Sequence, residues 1–150
     1  MGVFSQAPEQ IRADLHLLTV LRPILASAEP EEGCALLLGE RLDFDWQLRL
    51  VWPCCNVWPQ PQQRCQRFAI DPREQLQAQK WGRAQGLELL GSAHSHPTSG
   101  AVPSGTDRSL CGISTLMVIL GAQTLGGELV AWWLPEAPAA PLRLPWRMVS

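Results

Sequence analysis

Six small or apolar residues stand in succession at Cys34-Ala35-Leu36-Leu37-Leu38-Gly39, with Glu31 and Glu32 before them and Glu40 after. Alternate side chains of an extended chain point to opposite faces, so a strand built from this run is apolar on both and must be covered on both. That places it in the interior of a sheet with packing elements above and below. The segment Trp46 to Trp52 alternates well enough to pair with it, which predicts a hairpin turning around Glu40 to Asp45.

Other elements read from periodicity and punctuation. From Pro8 onward, Ile11, Leu15, Leu18 and Leu21 share one helical face, which predicts a first helix ended or broken by Pro23 and by Glu29-Pro30-Glu31. Pro53 to Arg64, with three prolines and a cysteine pair, reads as an irregular loop, and Phe68 to Ile70 as a short strand. Asp71-Pro72 has the form of an N-cap followed by an N1 proline, opening a helix that runs to Gln85 and stops at Gly86. Strands are expected at Leu87 to Ala93, Ser114 to Leu120, Glu128 to Leu134 and Leu142 to Met148. The expected fold is a single α/β domain over residues 1–150, with a mixed, mostly antiparallel sheet flanked by helices.

Composition narrows the function classes. With 46% hydrophobic and 17% charged residues in 150, the chain can bury a core. Twelve Lys and Arg against 14 Asp and Glu, without a basic run, lack the electrostatic footprint of a nucleic-acid binder. The longest apolar stretch, Thr115 to Ala122, is too short to span a bilayer. Met1 to Gln10 shows no basic segment followed by an apolar run, and Gln6 stands where a myristoylation motif needs Ser or Thr. A cytoplasmic location is expected. Cys34, Cys54, Cys55, Cys65 and Cys111 are odd in number and show no CxxC spacing, which favours reduced thiols. Adjacent Cys54 and Cys55 suit one tetrahedral ion poorly, so no second metal site is expected with Cys65. His16 reads as a boundary or surface residue, and one of Trp132 and Trp133 is expected to face the surface, where a partner can meet it.

The chemistry concentrates in His94-Ser95-His96-Pro97 and Pro103-Ser104-Gly105-Thr106-Asp107. Residues i and i+2 of an extended chain share a face, so the imidazoles of His94 and His96 point the same way and Ser95 points away. Asp107 lies far enough along for the chain to turn back and add a carboxylate oxygen. Two nitrogens and one oxygen leave one position of a tetrahedral zinc ion open, the catalytic rather than the structural pattern. Such a centre needs a general base, and Glu32, immediately before the buried strand, is the candidate, with Glu31 its neighbour and competitor. Ser104 is placed to donate to a developing oxyanion, and equally to cap the segment containing Asp107.

The pattern Glu32-Gly33-Cys34-Ala35-Leu36-Leu37-Leu38-Gly39, then His94-Ser95-His96-Pro97 and Pro103-Ser104-Gly105-Thr106-Asp107, resembles the JAMM motif of JAB/MPN-family metallopeptidases in order and spacing. The resemblance implies the family's cytidine-deaminase-like architecture. It also implies Zn2+ held by His94, His96 and Asp107, Glu32 as general acid/base, and Ser104 stabilising the tetrahedral intermediate. It covers most of the chain, with one departure: Ala35 stands where the family usually has glycine. Lacking room for insertions between Asp107 and the strand near Ser114, the chain looks like the compact prokaryotic members. Those imply a substrate of the ubiquitin-like or sulfur-carrier kind, cut after a terminal Gly-Gly. Two rival readings are a metal-free scaffold of the same family and a zinc amidohydrolase acting on a small molecule. All the ligand types are present, which counts against the scaffold.

Overall fold

The protein's computed structural model describes residues 7–109, 114–136 and 138–149. The elements follow in the order β1 (Gln10–Asp14), α1 (Leu15–Ala26), β2 (Cys34–Leu42), β3 (Asp45–Cys54), α2 (Pro72–Ala84), β4 (Glu88–Ser95), α3 (Gly105–Ser109), β5 (Thr115–Leu120), β6 (Leu129–Leu134), β7 (Leu142–Leu144) and β8 (Trp146–Val149). Among the described residues the strands form one sheet in the order β7-β6-β5-β4-β2-β3-β1-β8. β2 pairs antiparallel with β3 and β4, as do β5 with β6 and β6 with β7. β1 runs parallel to both β3 and β8, and β4 runs parallel to β5. The α/β class with a mixed, mostly antiparallel sheet agrees with the expectation from sequence. No helix among the described residues is long and apolar enough to cross a membrane.

β2 lies inside the sheet and is covered on both faces, as its apolar run requires. Ala35 and Leu37 pack in the larger core with Leu21 and Leu25 of α1, while Leu36 and Leu38 pack with Ala78 of α2 on the other face. The β2–β3 turn falls at Asp43, whose φ of 53° is the left-handed conformation a tight hairpin demands. α2 starts as expected: Asp71 accepts from the Arg73 amide, Pro72 occupies the first turn, and Gly86 with φ 76° follows the end.

Three expectations are corrected. Residues Gln10–Asp14 are a strand, not the start of the first helix: Ile11 and Ala13 are buried and alternate with Arg12, and Ile11 lies opposite Trp46 on one side and Trp146 on the other. The helix begins after Asp14, whose side chain caps the His16 amide, and it continues through Pro23. Leu18, Leu21 and Leu25 hold both halves against the core, whereas Pro23 and Thr19, whose carbonyl loses a donor at the proline, lie on the solvent side. Phe68 to Ile70 forms no strand, because no neighbour offers a ladder; Val57 makes one backbone bond to Ala69.

The third correction closes the sheet. Pro145 divides the expected strand Leu142 to Met148 into β7 and β8, which pair at opposite ends of the strand order. Two edges joined by a single residue must be close, so the sheet curls. The Pro145 carbonyl accepts from the Ile11 amide at 3.0 Å, and Trp146 Nε1 donates to the Leu129 carbonyl on β6 at 2.9 Å. Within the curl, Trp46 of β3 and Trp133 of β6 meet edge to face with ring centroids 5.4 Å apart. Trp132 points the other way, as expected of adjacent strand residues, but it is only half-buried and donates to the Ala101 carbonyl at 2.8 Å. It braces the loop after His96.

Candidate metal centre

Parallel strands β4 and β5 end side by side, and the candidate site lies just beyond them. His94 occupies the end of β4 and His96 follows it, with the His96 amide bonded to the Leu120 carbonyl of β5 at 2.8 Å. The loop after His96 returns over the strand ends. Ala122 donates to the Ser99 carbonyl at 2.8 Å, and Ala101 is buried among Met117, Ile119 and Val130. This turn delivers Ser104 and then α3, in which Asp107 is the third residue.

Three atoms converge. The Nε2 atoms of His94 and His96 are 3.0 Å apart, and each lies 3.1 Å from Asp107 Oδ2. A tetrahedral ion with nitrogen and oxygen bonds of about 2.0–2.2 Å holds its ligand atoms about 3.3–3.5 Å apart, close to this triangle. The ligand atoms of His94, His96 and Asp107 and a carboxylate oxygen of Glu32 all lie within 4.8 Å of one another. All four residues are buried, Glu32 being 3% and His94 0% exposed. Glu32 Oε1 is buried without a hydrogen-bond partner among the described residues. Two imidazole nitrogens sharing one carboxylate oxygen, beside a second buried carboxylate, fit a divalent metal ion. Glu31, the competing carboxylate, is half-buried and outside this group.

The surroundings orient the candidate ligands. His96 Nδ1 pairs with the Gly100 carbonyl at 2.8 Å, which fixes the tautomer that leaves Nε2 free to ligate. His94 Nδ1 has no hydrogen-bond partner among the described residues, and Phe68 stacks on its ring at 4.3 Å with 20° between planes. Ser104 is half-buried and caps α3, its Oγ accepting from the Asp107 amide at 3.0 Å, while its own amide donates to Asp107 Oδ2 at 2.9 Å. The capping job foreseen for Ser104 is therefore present, and it fixes the carboxylate on which the two imidazoles converge.

Charge and burial compete here. Burial pushes Glu32 up to about 7, with the His96 charge opposing and the Asp107 charge adding. Burial lowers His94, although Asp107 acts against it. At His96 burial opposes the charged form, but hydrogen bonds to Asp107 and Gly100 and the charges of Asp107 and Glu32 outweigh it and raise the pKa. Burial likewise opposes ionisation of Asp107, but bonds from both imidazoles and from the Ser104 amide hold its carboxyl well below the usual range.

Contacts that sequence reasoning missed complete the site. Ser95, pointing away from the imidazoles as its position in an extended chain requires, is buried with its Oγ accepting from the Gly33 amide at 2.8 Å and donating to the Leu25 carbonyl at 3.2 Å. Alternation gave its direction, but nothing in the sequence named its partners. A cleft of about 350 Å³ opens beside Asp107, with Leu36, Trp58, Phe68, Ile70, Leu89 and Met117 in its walls. His16 is exposed, and Cys34, Cys54, Cys55 and Cys65 are free; Cys111 lies outside the described residues.

Comparison with known proteins follows the geometry. Residues 14–135 match the family model described as prokaryotic homologs of the JAB domain. The chain is 36% identical over 91 residues to a probable TtuB-protein conjugate cleaving protease of Thermus thermophilus, covering 61% of this chain and 56% of that protein. It is 32% identical over 93 residues to a desampylase of Haloferax volcanii, covering 61% of this chain and 63% of that protein. The match thus spans less than two thirds of either relative. Among solved structures, a protein of Desulfitobacterium hafniense superposes with a TM-score of 0.80 at 26% identity, over 94% of both chains. One from Salinibacter ruber gives 0.59 at 28% identity, over 92% of this chain and 99% of the other. A family match that runs from the end of β1 past β6, and so takes in the segments supplying Glu32, His94, His96 and Asp107, makes this chain a member of the prokaryotic JAB-domain family.

Proposed function

We propose that the protein is a zinc-dependent peptidase or isopeptidase that hydrolyses the bond after a C-terminal Gly-Gly of a ubiquitin-like or sulfur-carrier protein. The observation that carries this reading is the meeting of His94 Nε2, His96 Nε2 and Asp107 Oδ2 beside the buried Glu32 carboxylate, whose Oε1 has no hydrogen-bond partner among the described residues. In this reading His94, His96 and Asp107 hold the ion. Zinc, when bound, supplies Lewis acidity in a site with one position left open. Glu32 takes the proton of the attacking water and hands it to the leaving amine; with no donor on Oε1 among the described residues, that oxygen is open to accept. Ser104 Oγ already accepts from the Asp107 amide, which leaves its hydroxyl proton for the oxyanion that develops on the attacked carbonyl.

The substrate class rests on two supports. One relative's name carries cleavage of a protein conjugate, and the other relative is named a desampylase. The apolar cleft beside Asp107 suits an extended tail, and residues without Cβ let a backbone approach the reacting centre closely.

The test is incubation of zinc-loaded protein with candidate carriers extended past Gly-Gly, followed by intact-mass analysis. Cleavage after the second Gly is expected, with Glu32→Gln nearly inactive although folded and zinc-bound, and Glu31→Gln much milder. Changing the second Gly of the tail to Val should stop cleavage by steric exclusion. Hydrolysis of small free amides only would overturn the substrate class. A protein that holds no zinc after reconstitution, unaltered by His96→Ala, would overturn the metal reading.

A further inference from the structure

Glu32 Oε1 is buried and has no hydrogen-bond partner among the described residues, so the backbone that carries the side chain bears on where the carboxylate stands. Every polar group of the Glu32–Gly33 backbone is engaged. On the β4 side, Ser95 Oγ accepts from the Gly33 amide at 2.8 Å, and the Ser95 amide donates to the Gly33 carbonyl at 3.0 Å. On the other side, the Glu32 amide donates to the Arg64 carbonyl at 2.8 Å, and Asn56 Nδ2 donates to the Glu32 carbonyl at 3.0 Å. Two of these four bonds come from the irregular segment that follows β3.

That segment has no ladder of its own, and the Asn56 side chain stands in for one. Nδ2 also reaches the Arg67 carbonyl at 2.9 Å and, more weakly, the Arg64 carbonyl at 3.4 Å, while Oδ1 accepts from the Trp58 and Ala69 amides at 3.1 and 3.2 Å. A primary amide has two donors and an oxygen with two lone pairs, so both ends are fully used. The backbone it gathers carries Trp58 and Phe68, both in the cleft wall, and Phe68 is the ring stacked on His94.

We infer that Asn56 is a positioning residue that ties Glu32 to the cleft wall, so that one side chain sets both where the proton acceptor stands and where a substrate tail lies. The inference rests on the peptidase reading for Glu32 and the cleft. Aspartate is the diagnostic replacement, because it keeps the shape and both acceptor contacts but offers no donor to the Glu32, Arg64 and Arg67 carbonyls. Alanine removes both sets of bonds.

The test uses the zinc-loaded protein with Asn56→Asp and Asn56→Ala. Backbone hydrogen exchange should accelerate in residues 57–70 and at Glu32, with protection in β2 and β4 retained and zinc content unchanged, since the ligands are anchored by other bonds. With a Gly-Gly-tailed carrier, kcat/KM should fall by about 10- to 100-fold, through a lower kcat and a higher KM, the scale seen when partners that orient a site's ligands are removed. Binding of the uncleaved carrier in a Glu32→Gln background should weaken similarly when Asn56→Asp is added, a readout independent of turnover. Unchanged exchange in 57–70, or kcat and KM within twofold of wild type for both variants, would overturn the inference. So would loss of protection throughout the sheet in both variants, since that is a role in global folding. A wild-type protein that cleaves no carrier sinks the functional reading instead, and the exchange pattern then decides alone whether Asn56 holds Glu32 and the loop.

Discussion

Replacing Ser95 with alanine removes the hydroxyl that ties the site-bearing strand to the backbone beside Glu32. In the fold Ser95 is 3% exposed, and its hydroxyl accepts from Gly33 and donates to Leu25 at the end of α1. The variant strands the buried Gly33 amide at about 1–3 kcal/mol and loses the bond to Leu25 at about 1 kcal/mol, so about 2–4 kcal/mol in total. For a domain of this size each kcal/mol moves Tm by about 2–4 °C, so a drop of about 5–15 °C is expected. Thermal and urea unfolding should be measured at pH 7 on protein stripped with EDTA, so that metal binding does not add its own stabilisation. Ser27→Ala is the control, since that hydroxyl is exposed and bonds the Ile24 carbonyl one turn back, and its loss should change stability by under about 0.5 kcal/mol. A Ser95→Ala protein that melts within 2 °C of wild type, about the control's own shift, would refute the claim that these two bonds hold the site's backbone.

Metal-free stability should also depend on pH through Glu32. Its pKa is raised in the fold from 4.5 to about 7, so the favourable difference is full below pH 4.5, shrinks as pH rises and is gone above about 7. Glu32→Gln should therefore gain on wild type by about 3 kcal/mol between pH 4.5 and 8.5 in urea melts with EDTA, and a flat difference contradicts burial as the cause. Ser104→Ala should slow carrier cleavage by about 10²–10³ if the hydroxyl serves the oxyanion. As a lost cap it should also destabilise by about 1 kcal/mol, and a variant with unchanged turnover confines Ser104 to capping. Burial pushes the Cys34 thiol up to about 12 and Cys54 up to about 11, whereas Cys55 is exposed. Iodoacetamide at pH 8 should label Cys55 and spare Cys34 in the folded protein, read by peptide mass spectrometry; equal labelling of the two argues against a buried Cys34.

Much of this molecule follows from information that is local in the chain. The apolar run from Cys34 identifies a strand covered on both faces, because side-chain alternation is a property of any extended backbone. Asp71-Pro72 and Gly86 bracket α2 through capping and turn chemistry that involves only nearest neighbours. The same holds for the imidazole pair, since i and i+2 share a face wherever the strand lies. The motif order and spacing predict that Glu32 meets His94, His96 and Asp107, and the structure brings those four together.

Tertiary structure decided what depends on a distant partner. Ile11 suits a helical face as well as a strand, and pairing with Trp46 and Trp146 settles it. Pro145 sends β7 and β8 to opposite ends of the strand order, a choice made by the neighbours available on each side. Phe68 to Ile70 has the composition of a strand but finds no ladder, and the Asn56 amide gathers it instead. Ser95 reaches Gly33 and Leu25, 62 and 70 residues back along the chain. The periodicity of a segment tells which way its side chains point; only folding supplies the donors, acceptors and rings they meet, because those groups come from parts of the chain that carry no local trace of one another.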